Sequence, residues 1–276
     1  MVLTRRFATL VTLLVTLNLS MTAHGKNVAA ERCEQQWRLE SAKATEQVPP
    51  DYLGLLQRWQ KDEKQCAGTI AYEARLALAY VFVKQPDKAR EVLKPLIKVR
   101  SDYSYLVDFS QLQIDYFTEL LYGVSTMENV RKLEGESLAF VKKYPDFPDG
   151  YGILGGLQTL LGKHSEAIKS LEVGLHSTMD VSGVYRNLTI SYTEVGRYEE
   201  AIRASGKAVE LNKGLTSDQY FAYALAKADA AVGNLREAEI VLRVIATKKP
   251  EARRDPEFKK AVDFVTSKMD ANKGTK

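Results

Sequence analysis

The stretch YGILGGLQTLLGKHSEAIKSLEVGL (Tyr151–Leu175) is followed by YRNLTISYTEVGRYEEAIRASGKAV (Tyr185–Val209), and the two superimpose at a constant offset of 34 residues. Tyr151 aligns with Tyr185, Leu154 with Leu188, Gly162 with Gly196, and Glu166-Ala167-Ile168 with Glu200-Ala201-Ile202. A repeat of that length is one pair of helices that cannot bury its apolar face alone and must stack on its neighbours. A third copy, AYALAKADAAVGNLREAEIVLRVIATKKP (Ala222–Pro250), brings Leu225, Gly233, Ala238, Leu242 and Pro250 into register after an insertion near Lys213–Ser217. A weaker copy, Glu73–Ile97, has Lys84 where the turn glycine would stand.

Each recurring residue has a physical reason. The small residues Gly155, Thr189 and Ala226 on the first helix face Ala167, Ala201 and Ala238 on the second, and let two helices approach closely. Gly162, Gly196 and Gly233 suit the left-handed turn that ends the first helix. Tyr151, Tyr185 and Tyr192 fill the space between neighbouring pairs, and Pro250 stops the last second helix. Gln158 and Asp229 stand where the tetratricopeptide repeat family, which this pattern resembles, often has an aromatic, and the resemblance implies looser or wetter packing there.

The pattern resembles the tetratricopeptide repeat family, specifically over Pro148–Pro250 and moderately over Thr69–Ser101. The resemblance implies an all-α fold: a right-handed superhelical stack of antiparallel helix pairs spanning residues 68–250. Asp102–Tyr144 fits the spacing badly and reads as a degenerate pair broken at Gly123-Val124-Ser125. Residues 251–276 read as a capping helix and tail, with Asp255 as cap, Pro256 in the first turn and Phe258, Val262, Val265 and Met269 as the apolar stripe.

Residues 1–25 stand outside this scheme. Arg5 and Arg6 precede an uncharged run, FATLVTLLVTLNL (Phe7–Leu19), and small residues Ala23 and Gly25 follow. That is the layout of a cleaved secretory signal, and the run is shorter than the roughly 20 residues a membrane span needs. The chain is therefore expected to be exported, the periplasm being the preferred compartment and a secretory lumen the alternative. No stable membrane anchor is expected after cleavage.

Residues 26–67 read as a helical hairpin, Ala29–Lys43 and Tyr52–Gln65, around the break at Val48–Pro50. Cys33 and Cys66 are the only cysteines, and both lie about 16 residues from that break, so an antiparallel hairpin brings them together as a disulfide.

The 276 residues carry a net charge of +4, with 45% apolar and 27% charged residues. This is ordinary for a soluble protein and gives no reason to expect a nucleic-acid partner. The basic group Lys248, Lys249, Arg253, Arg254, Lys259 and Lys260 is interspersed with Glu251, Asp255 and Glu257 and reads as a solvated surface. His164 and His176 sit in no metal-binding spacing, and neither a phosphate loop nor a nucleophile elbow is present. No catalytic residue, metal or cofactor is expected, and the chain does not read as an enzyme. Asn187-Leu188-Thr189 is a glycosylation sequon inside a helix whose Leu188 and Thr189 should be packed.

By the same resemblance, the first helix of each pair lines a concave groove that holds an extended peptide or a helix. Carried across residue by residue, the groove positions are Gly152, Gly156 and Thr159, then Arg186, Ile190 and Thr193, then Tyr220, Tyr223 and Lys227. Each set falls on one helix face. Tyr220 and Tyr223 are equally compatible with packing against the preceding pair. The expectation is an exported scaffold or adaptor holding one or more proteins or peptides, for assembly or secretion in the cell envelope. The alternative is an accessory subunit of an envelope enzyme complex, or a binder of small molecules or glycans.

Overall fold

A computed structural model of the chain describes residues 28–45, 51–61, 66, 69–99, 104–122, 126–177 and 181–273. The signal sequence expected at 1–25 lies outside the described residues, as do the break at 123–125 and the extreme C-terminus. No strand occurs among the described residues.

The first hairpin is α1 (Val28–Thr45) and α2 (Tyr52–Lys61). Cys33 and Cys66 are joined, with Cα atoms 5.7 Å apart. Trp37 and Trp59 bury completely and meet edge to face at 5.2 Å, and Trp59 stacks on Tyr72 of the next helix at 5.4 Å. The Trp59 Nε1–H donates to the Tyr72 carbonyl, which satisfies its one polar atom. Glu40 is held by Lys43 and Arg58, and Arg75 reaches back to Glu34. The disulfide and the Glu40 pairs thus close the hairpin on itself, while the Trp59–Tyr72 stack and the Arg75–Glu34 pair fasten it to the next helix.

The next helices are α3 (Ile70–Phe82) and α4 (Pro86–Leu93), then α5 (Ser104–Tyr116) and α6 (Met127–Lys143). The clear repeats follow: α7 (Pro148–Leu160) with α8 (His164–Gly174), α9 (Ser182–Glu194) with α10 (Tyr198–Leu211), and α11 (Gln219–Ala231) with α12 (Leu235–Lys248). The insertion near Lys213–Ser217 is a 3-10 turn, and a second 3-10 turn, Pro250–Arg254, leads into the capping helix α13 (Pro256–Lys273). Val265 and Ala261 of α13 are buried, while Asp255 accepts from the Glu257 backbone N–H at 2.9 Å.

The turns explain the period. Gly162, Gly196 and Gly233 have φ of 71°, 79° and 93°. In each, the turn glycine N–H bonds the carbonyl three residues back, and the following N–H bonds the carbonyl five back: Lys163 to Gln158, Arg197 to Tyr192 and Asn234 to Asp229. This is the Schellman closure of a helix end. Lys84 makes the same turn, at φ 61°, with Gln85 N–H donating to the Tyr80 carbonyl.

Packing inside a pair depends on small residues. A Cβ on Gly155 would lie 2.5 Å from Leu171 Cγ, and Leu171 is fully buried. Ala167, Ala201 and Ala238 are fully buried opposite. The expectation of wet slots at Gln158 and Asp229 is corrected. Both side chains are buried, Gln158 Oε1 accepting from Ser170 at 2.8 Å and Asp229 from Asn234 at 3.3 Å. Aligned Tyr192 instead sends its hydroxyl to Glu172 at 3.0 Å. A polar residue is tolerated in the slot because its partner comes from the same helix pair.

One stretch departs from the repeat. After α5 the helix continues as a π-helical segment, Phe117–Tyr122. Backbone contact is close between α3 and α5, α7 and α9, and α9 and α11, but not between α5 and α7. Rings bridge that wider spacing, with Phe109 of α5 and Phe147 at the start of α7 at 5.0 Å, and Phe109 also meets Phe140 of α6 at 5.7 Å.

Candidate functional site

Where α5 and α7 stand apart, the first-helix face carries a shallow cavity of about 270 Å³ that is open to solvent. Its walls are Phe109, Tyr116 and Phe117 on one side and Ile153 and Val184 on the other. Polar groups line it as well: Gln113 of α5, Asp149 in the first turn of α7, and Asn187 of α9. The volume lies just below the ~300–1,000 Å³ of small-ligand pockets.

Glycines border the cavity for two different reasons. Gly152, Gly174 and Gly183 all line it. A Cβ on Gly174 would come within 3.0 Å of the Gly152 backbone, whereas one on Gly183 would meet nothing within 4 Å. Ser177 donates a short hydrogen bond to Asp149 Oδ1. Burial raises the Asp149 carboxyl above its ordinary range, against the opposing pull of Ser177, Arg75 and Arg38. Gln113 is only 8% exposed, and its Oε1 has no hydrogen-bond partner.

The nine positions expected to form the groove divide into two kinds. Gly152 lines the cavity, and Gly156 is buried one turn further along α7, where a Cβ would sit 3.1 Å from Asn187 Nδ2. Thr159 and Thr193 are buried in the seams between first helices. Thr159 Oγ1 donates to the Gly155 carbonyl and pairs with Ser191 Oγ at 3.0 Å. Thr193 Oγ1 lies 2.9 Å from the Thr189 carbonyl and 3.2 Å from that of Ala224. Tyr223 is 3% exposed, and its ring meets Phe258 of α13 at 5.6 Å. It therefore packs forward onto the cap, not backward onto the preceding pair. Burial, with Asp255 nearby, pushes its phenol up to about 12.

Four positions stay accessible along the face. Arg186 is half-buried, donating to Asp218 and Asn187. Ile190 is half-buried, and Lys227 pairs with Glu194 at 2.6 Å. Tyr220 is 49% exposed beside Tyr223. Of the nine, the structure therefore joins only Gly152 to the cavity, whose walls Gln113, Tyr116, Phe117 and Asp149 sequence reasoning missed. The misfit of Asp102–Tyr144 to the repeat was the one signal that could have located them.

Among the described residues, no group of three or more His, Cys, Asp or Glu side chains is placed to hold a metal ion. No described helix is long and apolar enough to cross a membrane.

No protein-family model matches the chain, and no curated protein matches its sequence. Solved structures do. A chain of the APC/C hetero-tetramer Cut9-Hcn1 is similar with a TM-score of 0.52 and 13% identity, over 88% of this chain and 46% of that one. This chain thus spans about half the length of that relative. The fold is a tetratricopeptide-like helical stack. Two further structures are similar at lower TM-scores. The C-terminal part of a TPR repeat-containing protein from Cytophaga hutchinsonii gives 0.39 at 16% identity, covering 88% of each chain. The TPR2AB domain of yeast Sti1, in complex with pHSP90, gives 0.35 at 15% identity, over 86% of this chain and 99% of that one.

Proposed function

We propose that this chain is an exported protein-binding scaffold that holds a peptide segment of its partner along the first-helix face. The single observation that carries the reading is the cavity between α5, α7 and α9, with half-buried Arg186 and Ile190 and exposed Tyr220 continuing the same face. A stack of helix pairs offers a long surface with an opening at side-chain scale, and aromatics and arginine are frequent anchors. Cut9-Hcn1, which shares the fold, is a hetero-tetramer. We read the role as holding, not catalysis.

Export and an envelope role in assembly or secretion complete the proposal. The signal-like residues 1–25 and the Cys33–Cys66 disulfide support it, since disulfides persist in oxidising compartments. N-terminal sequencing of the protein recovered from a periplasmic fraction checks it. A chain retained in the cytoplasm with Met1 intact rejects export.

The holding role is tested by cross-linking capture from the native envelope. The Ile190→Ala/Tyr220→Ala variant should keep the helical circular-dichroism spectrum and lose the captured partner. Undiminished capture removes this face from the function.

A further inference from the structure

We infer that the cavity between α5, α7 and α9 receives one basic side chain, lysine or arginine, from the bound peptide. The inference rests on the scaffold reading and adds the chemistry of the occupant.

Gln113 lines the cavity, and its Oε1 is buried without a partner; an entering donor reaches that oxygen when the amide turns toward the cavity, which relieves the cost of leaving it unpaired. The Asp149 carboxylate lies among the lining residues, and burial weighs against its charge. A cation beside it restores that charge at little further desolvation. The two guanidiniums acting on it from outside the lining are Arg75 and Arg38, and Arg75 is already bonded to Glu34 at 2.7 Å. Arg186, near Tyr116, is likewise engaged by Asp218. Among the described residues, no cationic side chain lines the cavity.

Shape agrees with charge. Half-buried Tyr116 and Phe117 offer ring surface, which attracts a cation and accommodates the methylene stem that carries it. Gly183, where a Cβ would meet nothing within 4 Å, leaves room for that stem. About 270 Å³ suits one long side chain and is small for a cofactor. A π-helical segment begins at Phe117, one of the lining residues, and such segments recur at functional sites.

The test titrates the ¹⁵N-labelled, disulfide-bonded protein with the acetyl-methylamide derivatives of lysine, arginine, glutamine, norleucine and glutamate. The readout is the backbone amide signals of Gly152, Gly183 and Asn187. Lysine and arginine should bind roughly tenfold more tightly than glutamine or norleucine, a difference of about 1.4 kcal/mol, and glutamate should be weakest. Asp149→Asn keeps an acceptor for Ser177 and should abolish the preference. Gly183→Leu places a side chain at the cavity where a Cβ meets nothing, and should weaken all five. Equal binding of norleucine, glutamine or glutamate overturns the inference, as does a lysine preference that survives Asp149→Asn. The two readings fail separately. Preference for lysine and arginine without capture of any protein ends the scaffold reading and leaves the cation site. Capture that depends on Ile190 and Tyr220 without that preference does the reverse.

Discussion

Arg186 of α9 and Asp218 at the start of α11 are joined across neighbouring repeats, with Nε 2.9 Å from Oδ2. The other carboxylate oxygen of Asp218 accepts the Phe221 backbone N–H at 3.0 Å and so caps α11. One carboxylate therefore fixes both the start of a helix and its distance from the helix before. Asp218→Ala should lose the cap and the pair, about 2–3 kcal/mol together. Asp218→Asn keeps a capping oxygen and should lose less, about 1 kcal/mol. Arg186→Ala should resemble Asp218→Asn. Urea unfolding midpoints rank the three, and equal losses from all three would show that the cap contributes nothing.

Lys84 occupies the left-handed turn that glycine fills in the three later repeats. A side chain there is disfavoured by about 1–2 kcal/mol, while glycine gives back part of that in the unfolded chain. Lys84→Gly should stabilise the protein by about 0.5–1 kcal/mol, and Gly196→Ala should destabilise it by at least as much. Thermal melts of the two variants decide the matter, and a lower Tm for Lys84→Gly contradicts it.

These turns show what a linear sequence carries. The register of Lys84 followed from the period, and its φ followed from the register. The pairing of Cys33 with Cys66 followed from their equal distance to a break. Contacts between repeats were harder to read. Thr159, Thr193 and Tyr223 match groove positions in spacing, yet spacing fixes only a helix face. Whether that face opens to solvent depends on how near the next first helix comes, and at these residues it comes close enough for Thr193 Oγ1 to reach the Ala224 carbonyl. The cavity was hidden for the opposite reason. It lies where α5 and α7 stand apart, beside a π-helical segment that has no signature in residue periodicity.

The disulfide closes a span of 33 residues. In the chain-entropy model such a closure stabilises by about 3–4 kcal/mol. The chain has two tryptophans, Trp37 and Trp59, both buried in this hairpin. Cys33→Ser/Cys66→Ser should therefore unfold at lower urea, with the fluorescence change preceding loss of the helical signal from α7–α13. Coincident transitions at the wild-type midpoint would deny the disulfide that role.

Asp229 is buried in the slot that Gln158 and Tyr192 fill in the earlier repeats. Burial raises its carboxyl above the ordinary range, Glu237 adds to the rise and the Asn234 amide opposes it. The folded protein then holds this proton more tightly than the unfolded chain does. Its contribution to stability consequently declines as pH rises from the unfolded carboxylate value, about 3.9, through the raised folded one. Asp229→Asn removes the titration and keeps an acceptor for Asn234. The variant should be more stable than wild type at pH 7, with the gain shrinking as pH falls toward 4. A gain that grows on acidification reverses the sign and rules out the account.

Gly155 and Gly183 are both helical glycines, and their replacement by alanine should act in opposite directions. At Gly183 a Cβ meets nothing within 4 Å, so alanine brings only its helix preference, up to about 1 kcal/mol of added stability. At Gly155 the Cβ falls 2.5 Å from Leu171 Cγ, 2.8 Å from Leu171 Cδ2 and 3.1 Å from the Ala167 carbonyl. Neither partner can withdraw, because Leu171 is fully buried and the carbonyl belongs to α8. Overpacking of this kind costs about 1–3 kcal/mol, enough to outweigh the helix preference. The cause can be separated from a general intolerance by a double-mutant cycle. Leu171→Ala alone should cost about 2–5 kcal/mol, but in the Gly155→Ala background it also removes the clash. The double variant should therefore be more stable than the sum of the two single losses. Strict additivity would mean that the pair is not held apart by Leu171, and that the glycine serves the backbone of α7 alone.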